Sequence, residues 1–185
     1  MIEQELKTLI SGITYYIALG LFDWNPPIIQ ANYYYTDREG ILGKHKISVR
    51  VRSLGKNNYL QIKIPVRENN ALHIKDEYEQ KIDNVPACID GKLLESITGI
   101  KINSAAQVGQ LITERHVFNY NKQIEVCLDK NEYLNTIDYE MEIEFIDKVD
   151  NELFDKLSSI GIHFYTKTDG KFSRFIKRHK LICNI

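Results

Sequence analysis

The sequence lacks a long apolar run and contains few cysteines and prolines. Its longest mostly apolar stretch, residues 15–22, is less than half of what a membrane-spanning helix needs. The three cysteines stand far apart without Cys-x-x-Cys spacing, which disfavours a disulfide framework or a zinc site and indicates reduced thiols in a cytoplasmic protein. Four prolines fall at segment edges, and no linker rich in glycine or serine interrupts the chain. We therefore expect a single domain over residues 1–185.

An excess of charge of either sign is also missing. The chain has 24 Lys and Arg residues against 25 Asp and Glu residues, a formal net charge of −1. No field of the whole protein therefore favours nucleic acid or an acidic membrane, and we expect neither as a partner. Two carboxylates lie within the first five residues, where a signal peptide has a basic start, so secretion is not expected. Any function that depends on charge must be local.

The strongest pattern that is present is a period-two alternation of apolar and charged residues, which predicts half-buried strands. In the clearest example, residues 137–146, four carboxylates alternate with Tyr139, Met141, Ile143 and Phe145. The alternation also occurs at residues 2–9, 45–53, 58–64, 73–82 and 122–129. Helices are predicted at residues 11–22, 89–97 and 150–160, and from 171 to about 180. The pattern indicates an α+β fold with about eight mostly antiparallel strands.

Each predicted strand has one apolar and one charged face, and two architectures explain this arrangement. In the first, an antiparallel sheet turns its charged side to water and its apolar side to helices, which best explains any single strand. In the second, the sheet closes into a barrel whose charged faces point inward and whose apolar faces lie under helices. Carboxylates and arginines occur in doublets, and like charges roughly 7 Å apart on one face repel each other unless opposite charge lies between them. The doublets favour the barrel for the strands as a set.

The charged doublets are suited to a ligand that is rich in phosphate. Paired carboxylates supply the oxygen ligands that Mg²⁺ and Mn²⁺ prefer. Paired arginines grip phosphate oxygens through two hydrogen bonds at once. Acids for a metal and bases for phosphate on one surface would form a nucleotide or polyphosphate site.

The motif Glu3-x-Glu5-x-Lys7 in the first predicted strand resembles the ExExK signature of the CYTH superfamily, also called triphosphate tunnel metalloenzymes. Thr36-Asp37 stands where the family usually has Asp-Thr, an exchange that could move one carboxylate from its usual place. The resemblance covers nearly the whole chain. Later segments resemble the family's strands and basic C-terminal segment in order: Gln30-x-Asn32-Tyr-Tyr-Tyr35, Arg50-x-Arg52, Tyr59-Leu-Gln-Ile-Lys63, Glu77-x-Glu79, Arg115, Asp129, Glu140-x-Glu142-x-Glu144 and Lys171-x-x-Arg174.

The resemblance implies an eight-stranded antiparallel closed β-barrel, a triphosphate tunnel with a charged lumen and flanking helices. It implies Mg²⁺ or Mn²⁺ bound by Glu3, Glu5, Glu142 and Glu144, with Glu140 as a further member. The triphosphate would be held by Lys7, Arg50, Arg52, Lys63, Arg115 and Arg174, with Lys171 as a helper. Glu77, Glu79 and Asp129 would orient these bases or take part in a second metal site, and Glu3, Glu5 and Lys7 would be catalytic.

The function implied by the resemblance is metal-dependent hydrolysis of the terminal phosphoanhydride of a triphosphate, with inorganic tripolyphosphate ahead of nucleotides. The closest alternative is adenylate cyclisation, which forms cyclic AMP and diphosphate in the same tunnel. A third possibility is a sensor that binds triphosphate or polyphosphate without turnover. The pattern is most similar to small stand-alone bacterial members that are often labelled adenylate cyclases. We expect a triphosphate-containing small molecule as the ligand, and a monomer or homodimer.

Overall fold

The chain forms nine strands and five helices in the computed structural model, which describes residues 2–69, 72–165 and 168–183. The strands are β1 (Ile2–Ile10), β2 (Ile28–Thr36), β3 (Ser48–Leu54), β4 (Asn57–Asn69), β5 (Leu72–Ile82), β6 (Cys88–Asp90), β7 (Ser104–Asn119), β8 (Ile124–Tyr133) and β9 (Thr136–Phe145). The helices are α1 (Gly12–Leu19), α2 (Ile41–Lys44), α3 (Gly91–Thr98), α4 (Asn151–Ser158) and α5 (Lys171–Cys183).

Eight of the strands form a closed antiparallel barrel. They pair in the order β2-β3-β4-β5-β1-β9-β8-β7, and β7 pairs again with β2 to close the sheet. The short strand β6 pairs with residues 104–106 at the N-terminal end of β7. Closure confirms the second of the two predicted architectures, and the fold class is α+β.

The apolar face of each strand points away from the barrel axis and packs under the helices. Met141 and Ile143 of β9 pack with Leu153 and Leu157 of α4, and all four are fully buried. A second cluster, formed by Tyr35, Val49, Val51, Leu60, Ile62 and Leu94, covers the opposite side of the barrel under α2 and α3. Each large apolar side chain buried in this way contributes about 1.5–3 kcal/mol. The charged faces are left to line the inside.

The helices begin and end close to their predicted positions, with local exceptions. Helix α1 begins after Ser11, whose Oγ accepts a hydrogen bond from the backbone N–H of Thr14 at 3.0 Å, and it ends at Leu19, three residues before the prediction. Helix α4 ends at Ser158 rather than at residue 160, and α5 continues to Cys183. The short helix α2 was not predicted. No helix among the described residues is both long and apolar enough to cross a membrane.

The C-terminal helix α5 packs directly onto the barrel wall at a glycine. Gly109 of β7 has a φ of +151°, and a Cβ atom at this position would lie 2.7 Å from the Phe175 ring. The register of β2 and β7 shifts at this point, between Tyr34 and Tyr35. Phe175 is fully buried between the Tyr34 and Tyr133 rings. The absence of a side chain at residue 109 therefore lets α5 approach the barrel.

We expect Gly109→Ala to lower the free energy of unfolding by about 1–3 kcal/mol, because it adds backbone strain and pushes against Phe175. Urea unfolding measures the change. Gly43→Ala is the matched control, because Gly43 lies in α2 with nothing within 4 Å of the added methyl group. Equal stability of the two variants would show that α5 does not depend on this approach.

Candidate functional site

The charged strand faces line a cavity of about 2170 Å³ inside the barrel. Most of the predicted site residues line it: Glu5, Lys7, Arg50, Arg52, Lys63, Glu77, Glu79, Arg115, Glu142, Glu144 and Lys171. Asp129, Glu140 and Arg174 are buried against this set. Glu3 lies on β1, but its side chain is outside the described residues, so its role stays a prediction.

Three predicted acids form a buried cluster on β8 and β9. Carboxylate oxygens of Asp129, Glu140 and Glu142 lie within 4.8 Å of one another, because Asp129 is the cross-strand partner of Glu140 and Glu142 follows two residues later. The Lys171 Nζ atom, from α5, lies 2.8, 2.6 and 2.8 Å from oxygens of these three acids in turn. Burial alone would lower the pKa of Lys171, but the three carboxylates outweigh it and raise that pKa above its usual value.

The buried acids on β8 and β9 form the acidic wall of the lumen. Two arginines neutralise the remaining negative charge of this wall. Arg115 donates from Nε and Nη2 to the two Asp129 oxygens at 2.8 and 2.7 Å, and it also donates to Glu142. Arg174, one turn after Lys171 on α5, donates to both oxygens of Glu140 at 3.1 Å. The same guanidinium donates to Asp138 at 2.8 and 3.1 Å. Every charge in this wall therefore has an opposite charge in hydrogen-bond contact.

The first strand contributes a second group of ion pairs. Lys7 Nζ lies 2.7 Å from Glu5 Oε1 and 3.4 Å from Glu142 Oε1. Lys75 of β5 contacts the same Glu5 oxygen at 2.6 Å. Burial alone would raise the pKa of Glu5, but the charges of Lys7 and Lys75 hold it well below its ordinary value. Glu5 is therefore ionised in the neutral pH range.

Arg50 and Arg52 on β3 are held differently from the arginines of the acidic wall. Arg50 Nε donates to the amide oxygen of Gln61 at 2.7 Å, and Arg52 Nε donates to the amide oxygen of Asn32 at 3.1 Å. Among the side chains that the structure describes, no carboxylate lies within ion-pair distance of either guanidinium. Burial, with the nearby charges of Arg50 and Arg115, lowers the pKa of Arg52 to about 9. This part of the lumen is positive and can accept an anion.

The remaining predicted residues have more modest contacts. Lys63 pairs with Glu77 at 3.3 Å. Glu79 accepts a hydrogen bond from the Gln61 amide at 2.5 Å, and Gln61 in turn accepts one from Arg50, so Gln61 links Glu79 to a base. The exchanged residue Asp37 accepts hydrogen bonds from the backbone N–H groups of residues 41 and 42 at 2.6 and 2.8 Å, where it holds the start of α2.

Sequence reasoning missed four residues that make direct contacts in the site: Lys75, Asp138, Asn32 and Gln61. Lys75 and Asp138 share strand faces with predicted residues, since they lie two residues before Glu77 and Glu140. Period-two spacing could therefore have found both. Asn32 and Gln61 belong to two of the strand motifs, but nothing in their neighbourhood along the chain predicts their contacts with Arg52 and Arg50.

We expect the stability of the barrel to fall in acid because Glu5, Asp129 and Glu142 have lowered pKa values in the folded state. Their stabilising effect is complete above the ordinary carboxyl pKa of about 4, and it is lost as the pH falls through the lower folded values. Each group adds up to about 1.4 kcal/mol per pH unit to the slope. Urea unfolding at a series of pH values from 7 to 2 measures how the free energy of unfolding depends on pH.

Glu142→Gln should flatten this acid slope, while Glu132→Gln, at an exposed position of β8, should leave it unchanged. Equal slopes in the parent protein and in Glu142→Gln would contradict the ion-pair account of the acidic wall. Chelator in all samples removes any contribution from bound metal.

Comparison with known proteins agrees with the geometry. Structures with the same fold include a Hippeastrum adenylyl cyclase candidate with a dominant triphosphatase activity, which has 19% identity and a TM-score of 0.72 with 95% of each chain covered. An adenylate cyclase candidate from Bacillus halodurans has 24% identity and a TM-score of 0.69, with 92% of this chain and 95% of that chain covered. A Pyrococcus horikoshii protein has 18% identity and a TM-score of 0.63, with coverages of 96% and 99%.

Identities this low establish a shared fold and do not establish a shared activity. No curated protein sequence matches the chain at a significant level. The CYTH domain model, by contrast, matches residues 1–175, which is nearly the entire sequence. The resemblance seen in the motifs is therefore confirmed, and the chain belongs to the CYTH domain family.

Proposed function

We propose that this protein is a metal-dependent hydrolase that releases orthophosphate from inorganic tripolyphosphate or a related organic triphosphate. The observation that carries the proposal is the division of the lumen into two walls. The acidic wall lies on β8 and β9, and the arginine wall lies on β3, four strands away from β9 in a closed sheet of eight. The two walls therefore lie on opposite sides of the cavity, and the space between them is the proposed site of the phosphate chain.

The arginine wall suits the anionic ligand. Within the described part of the chain, Arg50 and Arg52 are held through Nε, which leaves the Nη edge of each guanidinium for the paired hydrogen bonds that phosphate oxygens accept. Lys63 lies on the adjacent strand β4 and adds a third positive charge. A triphosphate carries several negative charges, and a lumen in which two arginines lack acidic partners among the described residues would bind it strongly.

The acidic wall suits a divalent cation. Asp129, Glu140 and Glu142 offer only carboxylate oxygens, the ligands that Mg²⁺ and Mn²⁺ prefer, and Glu5 and Glu144 line the same cavity. A divalent cation held by the three acids would take the place of the Lys171 ammonium as their counter-charge. When bound, the metal would neutralise charge on the transferred phosphoryl group and position or acidify the attacking water. These acids, with Glu3, are the proposed metal ligands.

The basic residues on the two sides of the lumen have the chemistry to stabilise the reaction. Water attacks the terminal phosphorus in line, a new P–O bond forms, the anhydride P–O bond breaks, and diphosphate leaves. One proton of the water passes to solvent or to the released phosphates. Arg50, Arg52 and Lys63 hold the leaving diphosphate, while Lys7 and Arg115 lie at the acidic side, where they neutralise charge on the phosphoryl group.

The first test is phosphate release from tripolyphosphate, ATP and thiamine triphosphate with Mg²⁺ or Mn²⁺, with cyclic AMP measured in the ATP samples. We expect release from tripolyphosphate that stops with chelator. Glu5→Gln should lower kcat at least about 100-fold, and Glu132→Gln, an exposed carboxylate, should retain activity. Thermal unfolding of both variants checks that they are folded.

The alternative functions give different results in the same assay. Cyclic AMP from ATP would establish the cyclase, in which the ribose 3′-hydroxyl attacks the α-phosphorus. A ligand-induced rise in Tm without either product would establish the sensor. Full activity of Glu5→Gln would contradict the assignment of the site.

Arg52→Ala should raise the KM for tripolyphosphate about tenfold or more and affect kcat less, because the lost contact lies on the wall remote from the reacting phosphorus. Steady-state kinetics with saturating Mg²⁺ measure this split. Lys101→Ala removes a positive charge at an exposed position before β7 and serves as the control. A parental KM in Arg52→Ala would show that the arginine wall does not contact the substrate.

A further inference from the structure

Arginines in the lumen are held by two different kinds of acceptor. Arg115 and Arg174 bond to carboxylates, which neutralise their charge. Arg50 and Arg52 bond through Nε to neutral amide oxygens, which fix the orientation of the guanidinium but leave its charge uncompensated. The difference separates arginines that balance the acidic wall from arginines that are available for an external anion.

Asn32 is the clearest case of an amide placed where an acid would fit. It is fully buried on β2, directly opposite Arg52 in the β2–β3 register. Because arginine has no acceptor atom, the Asn32 atom that faces its Nε must be Oδ1. The Nδ2 group consequently points away, and within the described part of the chain it has no hydrogen-bond partner.

An unpartnered buried donor destabilises a folded protein. An aspartate at position 32 would have the same shape, would accept the same bond from Arg52, would add an ion pair and would leave no donor unsatisfied. Gln61, which holds Arg50, differs in this respect. Its amide nitrogen donates to Glu79 at 2.5 Å, so a glutamate at position 61 would set two carboxylates against each other. Asn32 is thus the position where the amide is less favourable for stability than the acid.

We propose that Asn32 is a substrate-positioning residue whose neutral amide orients Arg52 while keeping the guanidinium charge available for a phosphate group of the substrate. This inference rests on the proposed function and identifies the arginine wall as the place where the phosphate chain is anchored. The lowered pKa of Arg52 agrees with it, because burial beside Arg50 and Arg115 disfavours the charged guanidinium until an anion compensates it.

The test compares Asn32→Asp with the parent protein. Calorimetry with inorganic tripolyphosphate in chelator measures anion binding independently of metal and turnover, and thermal unfolding measures stability. We expect the Kd of Asn32→Asp to rise about tenfold or more, because the new carboxylate competes with phosphate for Arg52. The Tm should equal or exceed that of the parent. Gln107→Glu adds the same charge at an exposed position of β7 and should change neither value.

Parental affinity in Asn32→Asp would overturn the proposal. If that variant has a lower Tm than the parent, Asn32→Leu decides, because it removes the orienting oxygen and adds no charge. A several-fold rise in the calorimetric Kd for tripolyphosphate in Asn32→Leu supports the positioning role, and an unchanged Kd overturns it.

The outcomes separate this inference from the proposed hydrolysis. Hydrolysis of tripolyphosphate together with unchanged affinity in Asn32→Asp overturns the role of Asn32 and leaves the hydrolase standing. Weaker tripolyphosphate binding in Asn32→Asp, in a protein that hydrolyses no triphosphate, supports the role of Asn32 and overturns the hydrolase. A parent protein that binds no tripolyphosphate overturns both.

Discussion

The pairing of β2 with β7 is the constraint on which the other features of the structure depend. It closes the sheet, and closure turns the charged strand faces into an interior surface. A charge that is removed from bulk water needs a counter-charge or a hydrogen bond, because desolvation otherwise makes the ionised form unfavourable. The same pairing that completes the fold thus requires the dense set of ion pairs found inside the barrel.

Helix α5, which is not part of the sheet, supplies part of this compensation to the lumen face. Lys171 and Arg174 are three residues apart and therefore share one helix face, which enters the barrel beside Glu140. The neighbouring Phe175 packs against Gly109, and this apolar contact fixes the position from which Lys171 and Arg174 reach the acids. Tyr34, which packs on Phe175, shares the lumen face of the sheet with Arg50, so apolar packing and electrostatics inside the barrel are coupled through a single helix.

The two walls differ in how far their charges are satisfied, and this difference connects stability to function. On the acidic wall, every described carboxylate of the Asp129 cluster has a basic partner, and the ion pairs favour the folded state. On the arginine wall, Asn32 stands where an acid would have compensated the guanidinium group of Arg52. A binding site for a highly charged anion requires such a position, where a charge stays uncompensated and the folded state is less stable than it could be.

Sequence alone determined the faces of the strands, the α+β class and most of the charged residues of the lumen. Period-two spacing fixes the face to which each side chain belongs, and the motif from Glu3 to Lys7 carried the family resemblance. Tertiary structure decided which charges meet. Lys75 reaches Glu5 and Asn32 reaches Arg52 because closure and register bring separate strands side by side. Spacing along one strand contains no information about its neighbours, so whether an arginine faces an acid or an amide becomes visible only in the folded barrel.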